Sequence, residues 1–491
     1  MEIIISVFLP IIIGIIMLLW KEPKKRRDLI MVTGTLMAVS IATPIYTILS
    51  YHGNGVSLFN LSDSISIFFK PDGLGRIFAA AVIIVWFMAG IFSFEYMRHE
   101  HKEKRYYGFF FISLGVLLGL CFAGNLVTYY AFFEMLTIMT MPLVIHNQSH
   151  EAVIAALKYM FYSFAGAYMV IFGLYVLFKN TITLNFIPGG VLDVDAIVQN
   201  RSLLLIAAML IIVGFGVKAG MFPMHAWLPT AHPVAPAPAS AFLSAIIVKA
   251  GVLGIIRAIY YVFGAGILRG SWVQYTWLIL SLITVFMGSM LAYREKVFKK
   301  RLAYSTVSQV SYILFGLAIM NETAFVGSIL HVIAHAFIKS TLFLVAGAFI
   351  FKTGKTNVDD YKGIGKKMPV TLWCYTFASL GLIGIPPTSG FVSKWFLATG
   401  ALDSGLRVFA YLGPAILLVS ALLTAGYLLP ITMRGFYPGE EYLAENKNIK
   451  INQTSVYMLV PLIVLTVLSV IIGMMPNVLI DIIGSIAQVL F

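Results

Sequence analysis

Seven side chains in this sequence combine titratable chemistry with positions where charge is costly. Glu134 interrupts "VTYYAFFEMLTIM", Lys218 ends "SLLLIAAMLIIVGFGVK", Lys249 lies in "SAIIVKAGVL", Lys339 in "HAFIKSTLF" and Lys394 in "GFVSKWFL". An ionised group at the centre of a membrane helix costs about 2.5–3.5 kcal/mol on insertion scales, so five amount to roughly 10–18 kcal/mol. That is comparable to or above the roughly 5–15 kcal/mol that holds a typical fold together, so partners or water must offset it. A carboxylate close to Lys218 lets the pair exist as two ions or as two neutral groups. Burial opposes the ions and mutual attraction favours them, and a balance between the two makes the lysine proton movable. A static salt bridge joining two helices is the plainer alternative for Glu134 and Lys218. His331, His335 and Lys339 recur every four residues in "HVIAHAFIKS", which places them on one helix face with about 6 Å of rise between neighbours. Imidazoles titrate near neutrality and pass protons in either direction. The types and spacing therefore predict a hydrated proton line through Lys218, Lys249, His331, His335, Lys339 and Lys394, with Glu134 modulating Lys218. A metal held by His331 and His335 fits their spacing but has no carboxylate or cysteine nearby in sequence, so neither metal nor cofactor is predicted.

The elements that position these groups follow from composition. The chain has 491 residues, 60% of them hydrophobic and only 11% charged, with a mean hydropathy of +0.91. This is the composition of an integral membrane protein. Apolar runs long enough to cross a bilayer core occur near 3–20, 29–50, 76–95, 107–123, 125–145, 154–178, 203–221, 239–263, 273–292, 302–320, 324–351, 371–400, 409–432 and 455–479, predicting fourteen spans. The first run lacks a basic leader and a small-residue cleavage site and reads as a retained helix. Cys121 and Cys374 lie in separate spans without metal or disulfide spacing.

The net charge of +13 is explained by topology rather than by nucleic acid. Basic clusters follow spans one (Lys21, Lys24, Lys25, Arg26, Arg27), three (Arg98, Lys102, Lys104, Arg105) and nine (Arg294, Lys296, Lys299, Lys300, Arg301). Others follow spans eleven (Lys352, Lys355, Lys362, Lys366, Lys367) and thirteen (Arg434, Lys447, Lys450). All fall in odd-numbered loops, which the positive-inside rule makes cytoplasmic, with both termini outside the plasma membrane. Lys158 and Arg257, at or near span ends, read as snorkelling to the interface. The stretch 51–75 reads as a small hairpin on the outer face.

Two spans are interrupted. Gly214, Gly216, Gly220 and Pro223 bracket Lys218, and Pro386, Pro387 and Gly390 precede Lys394. Such breaks survive in lipid only where protein or water satisfies the freed backbone groups. They fall in spans seven and twelve, an odd offset that predicts two inverted five-helix repeats, spans 4–8 and 9–13. The predicted fold is an all-α polytopic membrane protein: residues 1–106 carry spans 1–3, 107–263 and 273–432 the two repeats, and 433–491 the last span. Ser305, Ser308, Gln309 and Ser311 in span ten can hold water between the halves or pack helices closely. His225 and His232 are candidate markers of a cytoplasmic entrance.

Five stretches together resemble one family. They are the "FFE" glutamate, "VKAGMFPMHAWLPTAHPVAPAPASAFLSAIIVKAG", "KKRLAYSTVSQVSYI", "HVIAHAFIKSTLFLVAG" and "GIPPTSGFVSKW". The chain is similar, over roughly residues 70 to 440, to the antiporter-like membrane subunits shared by respiratory complex I, Mrp-type sodium/proton antiporters and membrane-bound nickel-iron hydrogenase complexes. The resemblance implies that Glu134 and Lys218 form the acid-lysine pair of a first half-channel. It makes Lys249 the connecting lysine, His331, His335 and Lys339 the central relay, and Lys394 the end of the second half-channel. It also implies other membrane subunits as partners, no redox centre in this chain, and proton movement with or without sodium coupling. The rival readings are a stand-alone transporter of a small solute and a membrane enzyme acting on lipid-linked substrates.

Overall fold

The computed structural model describes residues 1–21, 23, 25–51, 53–62, 65–439 and 452–491. Lys24, Lys447 and Lys450, counted above among the cytoplasmic bases, lie outside them. Among the described residues, thirteen helices are long and apolar enough to cross a membrane. The chain opens with α1 (Glu2–Leu19), α2 (Arg26–Ser50) and α3 (Gly73–Tyr96). The expected hairpin is present between α2 and α3 as antiparallel strands β1 (Val56–Ser62) and β2 (Ile65–Phe69).

The next group comprises α4 (Glu103–Phe122), α5 (Leu126–Val144), α6 (His150–Asn180), α7 (Val194–Ala219), the short α8 (Leu228–Val234) and α9, which runs from Ala237 to Phe263. Then follow α10 (Trp272–Arg294), α11 (Phe298–Ile319), α12 (Glu322–Thr353), α13 (Pro369–Ile383), α14 (Ser389–Leu402) and α15 (Val408–Phe436). The chain closes with α16 (Val456–Met474) and α17 (Asn477–Leu490). The expected twelfth span, 371–400, is α13 and α14 together, two pieces each too short to cross alone. Helix α17 was not foreseen, because its apolar residues continue the hydropathy of the preceding span beyond Met474.

Several helices start where the sequence supplies a cap. Asn125, Ser149, Ser271 and Asn321 each accept a hydrogen bond from the backbone N–H three residues on, opening α5, α6, α10 and α12. Helices α9 and α12 are buried along their whole apolar length and α11 nearly so, whereas α2, α15 and α16 bury only 28–33% of theirs. The titratable residues of α9 and α12 therefore stand at the middle of the bundle.

The first break is narrower than the glycine pattern predicts. Helix α7 runs unbroken through Gly214, Gly216 and Lys218 and stops at Gly220, whose φ of 78° is left-handed. Gly214 serves packing instead: a Cβ there would lie 2.5 Å from the Gly166 carbonyl, so the pair lets α6 and α7 touch backbone to backbone. At the second break α13 ends on Gly384, and α14 begins against it. A Cβ on Gly390 would stand 1.9 Å from the Gly381 carbonyl oxygen, which is rigid backbone. Gly390→Ala is expected to cost about 1–3 kcal/mol, as overpacking does. A lowered thermal unfolding midpoint of the purified protein checks this, and an unchanged midpoint would mean the half-helices part freely.

Candidate functional site

Around the first break the site is built on α5, α6 and α7. Lys218, 1% exposed, lies in the last turn of α7, where the helix carbonyl end favours a cation. Its Nζ donates to Thr137 Oγ1 at 2.8 Å and to the Tyr159 hydroxyl at 2.6 Å, and it sits 4.5 Å from the Tyr159 ring centroid. Tyr159 in turn shares a hydrogen bond of 2.8 Å with Thr140 Oγ1. Trp227 holds the break in shape by donating its indole N–H to the Val217 carbonyl at 2.8 Å.

Glu134 lies one turn before Thr137 on α5 and feels the charge of Lys218. The described ion pairs do not include it, and its Oε1 is buried with no hydrogen-bond partner. The static salt bridge is thus absent; Thr137 and Tyr159 occupy the positions a carboxylate would take. Sequence reasoning missed both. For Thr137 the signal was its place three residues after Glu134 on the same face.

In the middle of the bundle the expected residues meet directly. Helix α9 passes through a π-helical stretch, Leu243–Ile247, just before Lys249. Lys249 Nζ donates to the Ser244 carbonyl at 3.0 Å and lies 2.5 Å from His335 Nδ1. The rings of His335 and His331 are 6.0 Å apart, centroid to centroid. His331 Nδ1 is 2.9 Å from Ser393 Oγ on α14, and its ring stacks on Tyr312 at 5.6 Å. The other face of this cluster holds Lys394, 4.9 Å from the Tyr312 ring centroid. Lys394 Nζ donates to the Leu382 and Ile383 carbonyls at 2.6 and 2.9 Å. These are terminal carbonyls of α13, so the Lys394 ammonium satisfies the negative end of that short helix.

Lys339 stands apart from its two histidines. Its ammonium donates to the Leu302 carbonyl at 2.9 Å and to Ser305 Oγ at 2.6 Å on α11. Gln309, one turn beyond Ser305, has neither amide atom partnered, and Nε2 of both His331 and His335 is likewise unpartnered. Buried polar atoms of this kind are what bridging water satisfies. Ser308 packs helices instead, hydrogen bonded to Ser289 at 2.8 Å and Ser420 at 3.2 Å, and Ser311 donates to the Val307 carbonyl at 3.0 Å within its own helix. Lys218 and Lys249 make no hydrogen bond to each other; α7 and α9 meet where a Cβ on Gly251 would come within 3.1 Å of Lys218 Cβ.

Three basic residues differ from expectation. Arg257 does not snorkel: it is wholly buried, grips both oxygens of Asp72 at 2.5 and 2.6 Å, and lies over Phe186 and Tyr261. Asp72 also caps α3 by accepting from the Gly75 N–H at 2.8 Å. Burial raises the Asp72 carboxyl, but the Arg257 charge and these hydrogen bonds outweigh it and hold it below the ordinary carboxylate value. Lys299 and Arg301, read as loop charges, are buried; Lys299 donates to the Pro233 and Ala235 carbonyls at 2.9 and 2.6 Å, and Arg301 to the Tyr427 carbonyl at 2.8 Å. His232 is also fully buried, its ring tilted against that of Phe343 at 4.8 Å, and therefore does not line a mouth. His225 and Lys158 are partly buried.

Comparison with known proteins agrees with this architecture. Residues 123–424 match the family described as NADH:quinone oxidoreductase/Mrp antiporter, TM. The chain is 34% identical over 343 residues to NADH-quinone oxidoreductase subunit N of Desulforudis audaxviator, an alignment spanning 70% of this chain and 67% of that one. It is 27% identical over 478 residues to the D-type subunit of the Na(+)/H(+) antiporter of Alkalihalophilus pseudofirmus, spanning 96% and 93% of the two. Among solved structures, a chain of the Mrp complex from Dietzia sp. DQ12-45-1b superposes with a TM-score of 0.85 at 20% identity, over 100% of this chain and 97% of that one. A chain of respiratory complex I from Thermus thermophilus does so with a TM-score of 0.82 at 20% identity, over the full length of both. With well over half its length matched, this multi-pass membrane protein belongs to the NADH:quinone oxidoreductase/Mrp antiporter membrane family.

Proposed function

We propose that the chain translocates protons, alone or in exchange for sodium, as a membrane subunit of a multisubunit respiratory or antiporter complex. The observation that carries this reading is the direct contact of Lys249 Nζ with His335 Nδ1 at 2.5 Å. It joins a lysine of the first half to the imidazole stripe of the second. An ammonium on Lys249 donates to Nδ1; transfer of that proton frees Nε2 of His335 to release one toward His331. Ser393 and the Tyr312 face then lead to Lys394. On the other side Glu134 sets the charge balance of Lys218, with Thr137 and Tyr159 holding the amine when it is protonated. The family resemblance and the subunit names of the relatives support partners of the same membrane complex, and this chain holds no cofactor in the scheme.

Within the reading, residues 107–263 and 273–432 are two inverted five-helix units, each with one broken helix. Residues 1–106 and 433–491 flank them. The basic odd-numbered loops face the cytoplasm across the plasma membrane and both termini face outward. The test is proton uptake by the reconstituted complex carrying Lys218→Ala or Glu134→Ala. A positioned proton-transfer group contributes about 10²–10⁴-fold, so translocation should fall by that order while assembly is unchanged. Loss of assembly in both variants, with normal translocation in whatever complex forms, would overturn the assignment.

A further inference from the structure

An apolar groove of about 530 Å³ opens on the outside of the bundle between α2, α3, α16 and α17. Its floor is α12, through Ile333 and Phe337, which flank His335 in sequence and are 6% and 3% exposed. The walls are aliphatic, including Ile77, Ala80 and Leu468, and Arg76 is the one charged residue of the lining. Arg76 lies in the first turn of α3, just after the hairpin, at the start of a helix long and apolar enough to cross a membrane. Its Nη2 donates to the Tyr51 carbonyl, while its Nε is buried and unpartnered. None of the described ion pairs includes it. The nearest acid along α3, Asp72, is already neutralised by Arg257.

We propose that this groove holds one acyl chain of a membrane phospholipid whose phosphate rests on Arg76. The charge complementarity is specific to that end of the groove: Arg76 is partly exposed and none of the described ion pairs includes it, so its guanidinium can meet an oxyanion through a charge-assisted hydrogen bond. Lipid tails are as apolar as the walls, so transfer from the bilayer supplies no hydrophobic gain; the chain is held by van der Waals contact with walls that otherwise face a gap. The seated chain is separated from the His331 and His335 face of α12 only by the thickness of that helix. It therefore lies against the back of the helix that carries the imidazoles.

The experiment uses the full chain, purified and delipidated in detergent, then exposed to phosphatidylglycerol carrying a photoreactive diazirine in its acyl chain. Wild type should be labelled on the peptides bearing Ile333, Phe337 and Ile77 and should retain the lipid in native mass spectrometry. Ala80→Trp, which fills the groove, should lose that label, and Arg76→Gln should lose retention of the phospholipid. The proposal is overturned if label spreads evenly over the lipid-facing helices of wild type, if neither folded variant changes it, or if a neighbouring subunit cross-links across the groove in the intact complex. Should a variant fail to fold, the wild-type labelling pattern decides alone. Labelling does not depend on whether protons move, so this outcome is separate from that of the translocation assay.

Discussion

Lys249→Leu is expected to reduce proton translocation by about 10²–10⁴-fold, the range supplied by a positioned proton-transfer group, with the complex still assembled. Lys249 is 2% exposed and its amine bridges the Ser244 carbonyl and His335 Nδ1, so leucine keeps the packing of α9 while removing the link. Lys249→Arg sharpens the test. A guanidinium keeps the charge yet stays protonated, so it preserves electrostatic balance and cannot hand a proton on. Translocation should fail in both variants. Normal rates in Lys249→Arg would reduce Lys249 to a fixed counter-charge, and normal rates in Lys249→Leu would remove it from the route altogether.

The second large effect concerns stability. Arg257→Leu leaves Asp72 facing an apolar wall formed by Phe186 and Tyr261, and removing one partner of a buried pair typically costs about 3–5 kcal/mol. Because the Asp72 side chain is 29% exposed, the lower end of that range is expected here. The measurement is the thermal midpoint of the purified protein, followed against pH. The carboxyl lies below its ordinary value of 3.8 in the folded chain, where burial is outweighed by Arg257. Its contribution is therefore complete above that pH and is lost as the pH falls through the lowered native value. Wild type should lose midpoint under acid conditions where Arg257→Leu, already without the pair, loses less. Equal midpoints at neutral pH would show that the pair contributes nothing net.

The parts legible in the sequence were those that local pattern controls. Hydropathy places the helices, the His331, His335 and Lys339 spacing places them on one face, and the glycine and proline clusters mark both breaks. Lys249 and His335 were foreseen as members of one line, but their contact links residues 86 apart and only packing shows it. Arg257 was misread because its partner lies 185 residues away, so position within a span was the only local clue. Lys299 and Arg301 were misread for a related reason: a basic run beside an apolar segment looks solvated until the carbonyls that receive it are known. Glu134 was read as modulating Lys218, yet no described ion pair joins the two, and the hydroxyls that receive the amine, on Thr137 and Tyr159, are ordinary helix residues in type. Nothing in composition distinguishes Tyr159 from the other tyrosines.

Helix α12 is enclosed over its whole apolar length, and even the groove reaches only Ile333 and Phe337. Its polar stripe of His331, His335 and Lys339 is buried, with no opening toward the outside of the bundle through which an extra positive charge dissipates. Charge arriving at an imidazole there is confined to the direction of the stripe, as current is confined by the insulation of a wire. Whatever ion the neighbouring elements deliver, the insulation makes each occupancy of the stripe felt by its other members.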